Sequence, residues 1–138
     1  MYLIDTNVVS ELRKGRRADP GVRAFFEDAA HEQVSLYLSV ITLAELDAGV
    51  TRVRDRGDHE QAVHLGAWLQ AIRRDYGSSL LAVDESVAAQ LGPLLAHGRG
   101  GVVDRIIMAT ALAHGLTVVT RNIRDFAAVA THNPFTQP

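Results

Sequence analysis

An α/β fold built on a mainly parallel central sheet is what this sequence predicts, and two observations predict it. Short apolar runs rich in Leu, Val and Ile alternate along the chain with longer stretches of helical periodicity. The runs are also nearly continuous in their apolar character, as strands buried on both faces require, and each one stops at polar residues.

Taken in order, the first run is Tyr2 to Ile4, which stops at Asp5-Thr6-Asn7 and leads into a first helical region around Lys14. Val34 to Leu38 is the second, ending at Ser39. A helix follows from Thr42 to about Arg54, and another from His59 to Tyr76 with Leu65, Leu69, Ile72 and Tyr76 on one stripe and Gly77 as its stop. The charged stretch Arg52 to Gly57 between them reads as a connector, too short to separate domains. Leu80 to Val83 is the third strand; Asp84 reads as the N-cap of a helix over Glu85 to Leu95. Arg105 to His114 forms the last helix, closed by Gly115 at the C′ position, where the left-handed backbone suits glycine. Leu116 to Val119 then stops at Thr120-Arg121-Asn122, and a final short strand is expected over Ala128 to Thr131.

Composition bounds the function. A chain of 138 residues, 47% hydrophobic and 22% charged, sits at the size of one core, so a single domain over 1–138 is expected. No stretch approaches the roughly 18 uninterrupted apolar residues of a membrane span. With no cysteine, disulfides, thiolate nucleophiles and cysteine-ligated metal centres are excluded. The opening residues carry neither a basic n-region nor a long apolar h-region, so no secretory signal is expected and the cytoplasm is the default address. Fourteen Lys+Arg against sixteen Asp+Glu, a formal charge of -2, argues against binding nucleic acid by bulk charge. A nuclease remains compatible, because a metal offsets the carboxylates of its site.

In a parallel sheet the residues that follow the strands gather along one edge, where open α/β folds place their sites. Asp5 and Asn7 after the first strand, Glu45 early in the next helix, Asp104 at the start of the last helix and Asn122 with Asp125 after the fourth strand are thereby expected to converge. Four carboxylates brought together without a counter-charge would raise one another's pKa and destabilise the fold. A hard divalent cation, Mg²⁺ or Mn²⁺, resolves that repulsion and keeps waters that can be activated to attack a phosphodiester. Metal-assisted phosphoryl transfer to water is the chemistry this pattern implies.

Each acid also has a plain structural reading. Asp5 with Asn7 can form an Asx turn, and Thr42-Leu43-Ala44-Glu45 matches a capping box. Asp104 suits an N-cap or a first helical turn, and Asp125 a turn before Phe126. Capping explains why acids favour the ends of elements, but not why four of them meet at one edge. The six histidines are scattered without ligand spacing, and Gly98 to Gly101 lacks the lysine of a phosphate-binding loop. Arg16-Arg17, Arg52 to Arg56 and Arg73-Arg74 read as solvated faces, with phosphate contact as the functional alternative. Trp68 reads as core or subunit interface rather than as a base-stacking platform.

Four ordered segments, Leu3-Ile4-Asp5-Thr6-Asn7-Val8, Ser39-Val40-Ile41-Thr42-Leu43-Ala44-Glu45-Leu46, Asp104-Arg105-Ile106-Ile107-Met108-Ala109-Thr110-Ala111 and Val119-Thr120-Arg121-Asn122-Ile123-Arg124-Asp125-Phe126, resemble the PIN domain. In order and spacing, and in the closing Asn133-Pro134-Phe135, the chain is similar to the VapC group of toxin ribonucleases with its FitB-like members. The resemblance spans Tyr2 to Phe135 and implies a three-layer α/β/α sandwich, Mg²⁺- or Mn²⁺-dependent RNA cleavage, a homodimer and inhibition by a cognate VapB-like antitoxin. Asp5, Glu45 and Asp104 match the family's three invariant acids. Many PIN domains carry an aspartate at the position of Asn122; here Asp125 is the acid left to serve, with Asn122 acting through a water or positioning Asp125. On this reading Asp5 and Asp104 hold the metal directly, Glu45 and Asp125 complete the shell or orient the attacking water, and Thr6, Asn7, Thr120 and Asn122 fix the carboxylates.

Two rivals are weighed against it. Receiver domains and haloacid-dehalogenase-type phosphatases also place an aspartate after the first strand, but they rely on a lysine arriving late in the chain, and the only lysine here is Lys14. A catalytically silent RNA- or protein-binding PIN-like module would show a broken acid set, whereas this one is complete.

Overall fold

The computed structural model describes residues 1–136. Its elements are β1 (Tyr2–Ile4), α1 (Thr6–Leu12), α2 (Pro20–His31), β2 (Leu36–Ser39), α3 (Val40–Asp55), α4 (His59–Tyr76), β3 (Leu80–Leu81), α5 (Glu85–His97), α6 (Val102–His114), β4 (Thr117–Val119) and β5 (Thr131–His132), with a 3₁₀ turn over Ile123–Phe126. The five strands are all parallel, in the order β3-β2-β1-β4-β5. The chain builds outward from β1 to β3 on one side and then returns to lay β4 against the other, pairing Ile4 with Val119. That reversal puts a topological switch point at the carboxyl ends of β1 and β4, where such sheets open a crevice.

Alternation along the strands makes two cores. Leu3 and Val118 point into a cluster with Ile107, Met108, Ala111 and Phe126; Ile4 and Val119 point the other way, against Val8, Val22, Leu46, Val50 and Leu69. Helices α1 to α4 cover one face and α5 with α6 the other, giving the expected three layers. Among the described residues no helix is long and apolar enough to cross a membrane.

The element boundaries depart from expectation for identifiable reasons. Helix α3 starts at Val40 rather than Thr42 because Ser39 Oγ caps it, accepting from the Ile41 N–H at 3.1 Å. The supposed connector Arg52 to Gly57 is mostly its last turn, where Arg52 and Arg54 complement the helix C-terminus. β2 starts later than expected, since the Val34 N–H is spent on Ala29 C=O (2.8 Å) to finish α2, with Gln33 at φ +56. β5 takes Thr131–His132 in place of Ala128 to Thr131. Gly115 ends α6 in the left-handed conformation, φ +65, as expected.

The closing segment is anchored away from the sheet edge. Thr136 donates through its N–H and its hydroxyl to the buried Asp19 carboxylate, which also caps α2 through the N–H of Gly21 and Val22. Gly21 lets that segment approach: a Cβ there would stand 2.1 Å from Pro134 C=O.

Candidate active site

Asp5 leaves the end of β1 at the switch point and is 5% exposed. Its N–H is held by Val119 C=O at 2.9 Å, so the residue is locked to the end of β4. Oδ1 accepts from the Thr6 N–H (2.8 Å), which caps α1, while Oδ2 accepts from the Thr120 hydroxyl (2.7 Å) and from Asn7 Nδ2 (2.9 Å). Thr120 is itself fully buried and also accepts from the Asn122 N–H at 3.0 Å. Asn7 completes the tie by accepting from the Arg121 N–H at 3.2 Å. The Asx-type cap anticipated for Asp5 is therefore present, yet it occupies only part of a carboxylate whose Oδ1 keeps acceptor capacity.

Glu45 arrives from the second turn of α3, half-buried. Its Oε1 accepts from the Thr6 hydroxyl at 2.5 Å, and Thr6 Oγ1 also meets the buried Thr42 Oγ1 at 3.3 Å. Because Ser39 is the cap, the capping-box reading of Thr42 and Glu45 is overturned: Glu45 lies beyond the first turn and its carboxylate bonds α1, not its own helix N-terminus.

Asp104 stands in the first turn of α6, whose cap is Gly101. It meets Asp125 across Gly100, a glycine at φ +85: a Cβ there would lie 3.4 Å from both Asp104 Oδ2 and Asp125 Cβ and 3.3 Å from Asp125 C=O. Arg105 fastens this loop, donating to Gly100 C=O from Nε (3.2 Å) and Nη2 (3.0 Å). Asn122 is exposed, and its C=O accepts from the Asp125 N–H at 3.0 Å, so it shapes the 3₁₀ turn that presents Asp125. Gly100, Arg105 and Thr42 contribute in ways that sequence reasoning missed; the paired Gly100-Gly101 just before Asp104 is the signal that a backbone turn there needs glycine.

Asp5 and Asp104 feel the other acids. Burial pushes the Asp5 carboxyl above the ordinary carboxylate range, against the pull of the Thr120 hydroxyl and the Thr6 N–H, and the Asp104 and Glu45 charges push it further. Burial likewise raises Asp104, followed by repulsion from Asp125, and the backbone at Gly101 pulls it back before Glu45 adds a last push upward. The edge thus concentrates acidic side chains whose charges oppose one another. Among the described residues no three acidic or histidine side chains are grouped tightly enough to cage a metal as they stand. The donor set itself, all carboxylate and hydroxyl oxygen with spare acceptor capacity on Asp5, suits a hard divalent cation and no softer one. Asp84, the other acid after a strand, is spent on capping α5, its Oδ1 accepting from the Val87 N–H at 3.1 Å.

Comparison with known proteins agrees with this arrangement. The PIN domain family profile matches residues 2–131. The toxin FitB of Neisseria gonorrhoeae is 37% identical across 98% of this chain and 99% of its own length, and the VapC ribonuclease Y4jK of Sinorhizobium fredii is 33% identical across 93% and 91%. The crystal structure of FitAcB from Neisseria gonorrhoeae superposes with a TM-score of 0.81 at 34% identity, covering 97% of this chain and 98% of that one. A parallel sheet with its acids at the switch point, the matching profile and these full-length relatives lead to one conclusion: the chain belongs to the PIN domain family.

Proposed function

We propose that this protein is the toxin of a type II toxin–antitoxin pair, an endoribonuclease dependent on Mg²⁺ or Mn²⁺ that acts in the cytoplasm as a homodimer and is silenced by a cognate VapB-like antitoxin. The observation that carries the reading is the approach of Asp5, Glu45, Asp104 and Asp125, from four separate segments, to one edge, where Asp104 and Glu45 make Asp5 costlier to ionise and Asp125 and Glu45 do the same to Asp104. Relatives named as a toxin and as a ribonuclease, and the likeness to the FitAcB structure and to a toxin-antitoxin complex from Klebsiella pneumoniae, support it.

Asp5 and Asp104 would hold the cation, with Glu45 and Asp125 completing its surroundings. A bound Mg²⁺ or Mn²⁺ supplies Lewis acidity at the scissile phosphate and lowers the pKa of water. Thr120, Asn7 and the Thr6 N–H hold the Asp5 carboxylate in one orientation, so no rotamer freedom is lost when a ligand arrives. Thr6 does the same for Glu45, and the Asn122 turn with the Arg105-fastened loop sets Asp125 against Asp104. No side-chain nucleophile is needed on this reading: attack by water leaves products ending in 5′-phosphate and 3′-hydroxyl. The anionic edge also favours a guanidinium-bearing antitoxin segment, since arginine pairs bidentately with carboxylates.

The test is incubation of purified protein with RNA and Mn²⁺, with the new ends mapped. Cleavage that disappears in folded Asp5→Asn and Asp104→Asn proteins and in EDTA is expected; undiminished cleavage by Asp104→Asn, or cleavage that persists in chelator, would sink the assignment.

A further inference from the structure

One feature stands outside the carboxylate edge yet opens onto it. Helices α3 and α4 form a hairpin that turns at Gly57, φ +88, and α1 closes its third side. Leu46 and Trp68 are equally far from Gly57 along the chain, so Trp68 stands level with the first turns of α3, beside Glu45. Between the three helices runs a groove of about 280 Å³, from Thr6 and Glu45 past Gly49 and Trp68 to Arg13 and Arg56.

Three observations bear on its occupant. Gly49 lies inside α3, where glycine weakens a helix, yet a Cβ there would meet nothing within 4 Å. No packing within the chain calls for that glycine; what it does is leave the groove open across from Trp68. Trp68, the only tryptophan of the sequence and from the sequence expected in the core or at a subunit interface, is half-buried: it rests on the core and shares its remaining surface between this groove and the adjoining hollow. The charged side chains along the groove are Glu45, which belongs to the carboxylate edge, and the exposed cations Arg13 and Arg56.

We propose that this groove seats a nucleotide of single-stranded RNA next to the bond being cut, with its base stacked on Trp68 and its phosphates on Arg13 and Arg56. The inference rests on the nuclease reading above. An aromatic face binds any base that is out of a helix, and arginines neutralise the backbone, so the groove selects single strands without demanding a sequence. The track is short: the adjoining hollow, which Arg13 and Trp68 also line, carries Asp58 and Glu60, whose charges repel further phosphates on that side.

Trp68 is its own reporter. A short mixed-sequence RNA is titrated into the Asp104→Asn protein while tryptophan emission is followed, with the same RNA as a duplex for comparison. Saturable quenching by the single strand and much weaker quenching by the duplex are expected. In the otherwise wild-type enzyme, Gly49→Leu, which fills the groove, and Trp68→Leu are each expected to raise KM about tenfold or more, the scale of one lost base stack, with kcat changed far less. Arg13→Gln and Arg56→Gln, which leave the helical packing alone, should each lower the salt dependence of binding by about 0.7 in the log–log slope. Cleavage with no change in Trp68 emission and an unaltered KM in Gly49→Leu and both arginine variants would overturn the groove while leaving the nuclease. Quenching by single-stranded RNA without any cleavage by the wild type would keep the groove and overturn the nuclease. If a basic antitoxin peptide quenches Trp68 and RNA does not, the groove belongs to a protein partner and the proposal falls.

Discussion

Replacing Thr120 with Val tests whether the Asp5 carboxylate is held as described. The substitution keeps the volume of a fully buried side chain and removes the hydroxyl that donates to Asp5 Oδ2 at 2.7 Å. A hydrogen bond to a charged group contributes about 1.5–3 kcal/mol, and here the acceptor is left with Asn7 as the donor on that oxygen. The Asn122 N–H, which also loses Thr120 Oγ1, belongs to an exposed residue and finds water instead. With an unfolding entropy of about 2.1 cal/mol/K per residue, a loss of about 2 kcal/mol lowers the melting midpoint of a chain of this length by about 7 °C near neutral pH. The sign with pH follows from Asp5. Its pKa is raised by folding, so between the ordinary carboxylate value and that raised one the folded protein holds a proton that the unfolded chain has shed, and this residue's contribution to stability falls as pH rises. Without the hydroxyl, which favours the charged form, the window extends upward and the deficit of Thr120→Val grows from acid toward neutral pH. Melting curves of both proteins across that range, with Thr120→Ser as the rescue, make the comparison. Equal midpoints at neutral pH, or a deficit that grows on acidification, would refute the claim that this hydroxyl steadies the carboxylate.

Other expected outcomes follow from the same geometry. Mn²⁺ at 100 times its dissociation constant should add about 2.7 kcal/mol, a rise of roughly 9 °C in the midpoint; Asp104→Asn should melt no lower than wild type in EDTA, because Asp104 is costly to ionise, and should lose most of that rise. Gly49→Ala should stabilise by up to about 1 kcal/mol, read by denaturant titration, since the site is helical and open. Gly21→Ala should destabilise by more than about 2 kcal/mol and free the closing segment to hydrogen exchange, because its Cβ would collide with Pro134 C=O at 2.1 Å. Gly100→Ala should reduce RNA cleavage with a smaller effect on melting, since at φ +85 a side chain strains the loop and crowds Asp104 and Asp125.

How much of this was legible in the sequence depends on the range of the interaction. The strands announce themselves through unbroken apolar runs, and their polar endings mark the switch point at Asp5 and at Thr120 to Asn122, whereas Glu45 and Asp104 lie on helices and are candidates because those helices start at the same edge. The roles of Thr6 and Thr120 were legible only as hydrogen-bonding types; that Thr120 serves Asp5, 115 positions away, is a fact of the fold. Local signals were misread where two competed. Thr42 and Glu45 have capping-box spacing, but Ser39, three residues earlier, takes the cap, and Val34 looks like strand although its N–H finishes α2. Helix α2 has a legible start in Asp19-Pro20, an N-cap followed by a proline at the first helical position, whereas the seven residues of α1 are too few to show a period.

The central position of β1 also sets when the molecule can come into being during synthesis. Its three residues are made more than a hundred residues before three of their five pairing partners, Thr117 to Val119. A ribosome extending the chain can form α1 to α4 and the β1–β2 pair early, because those contacts are comparatively local, whereas β1 stays an open edge until β4 emerges. Asp5 therefore lacks Thr120, and the switch-point crevice lacks one wall, in every nascent chain shorter than that. Whatever chemistry the edge performs begins as a late, single event in the life of each polypeptide, and translation cut short before residue 120 yields chains in which it never starts.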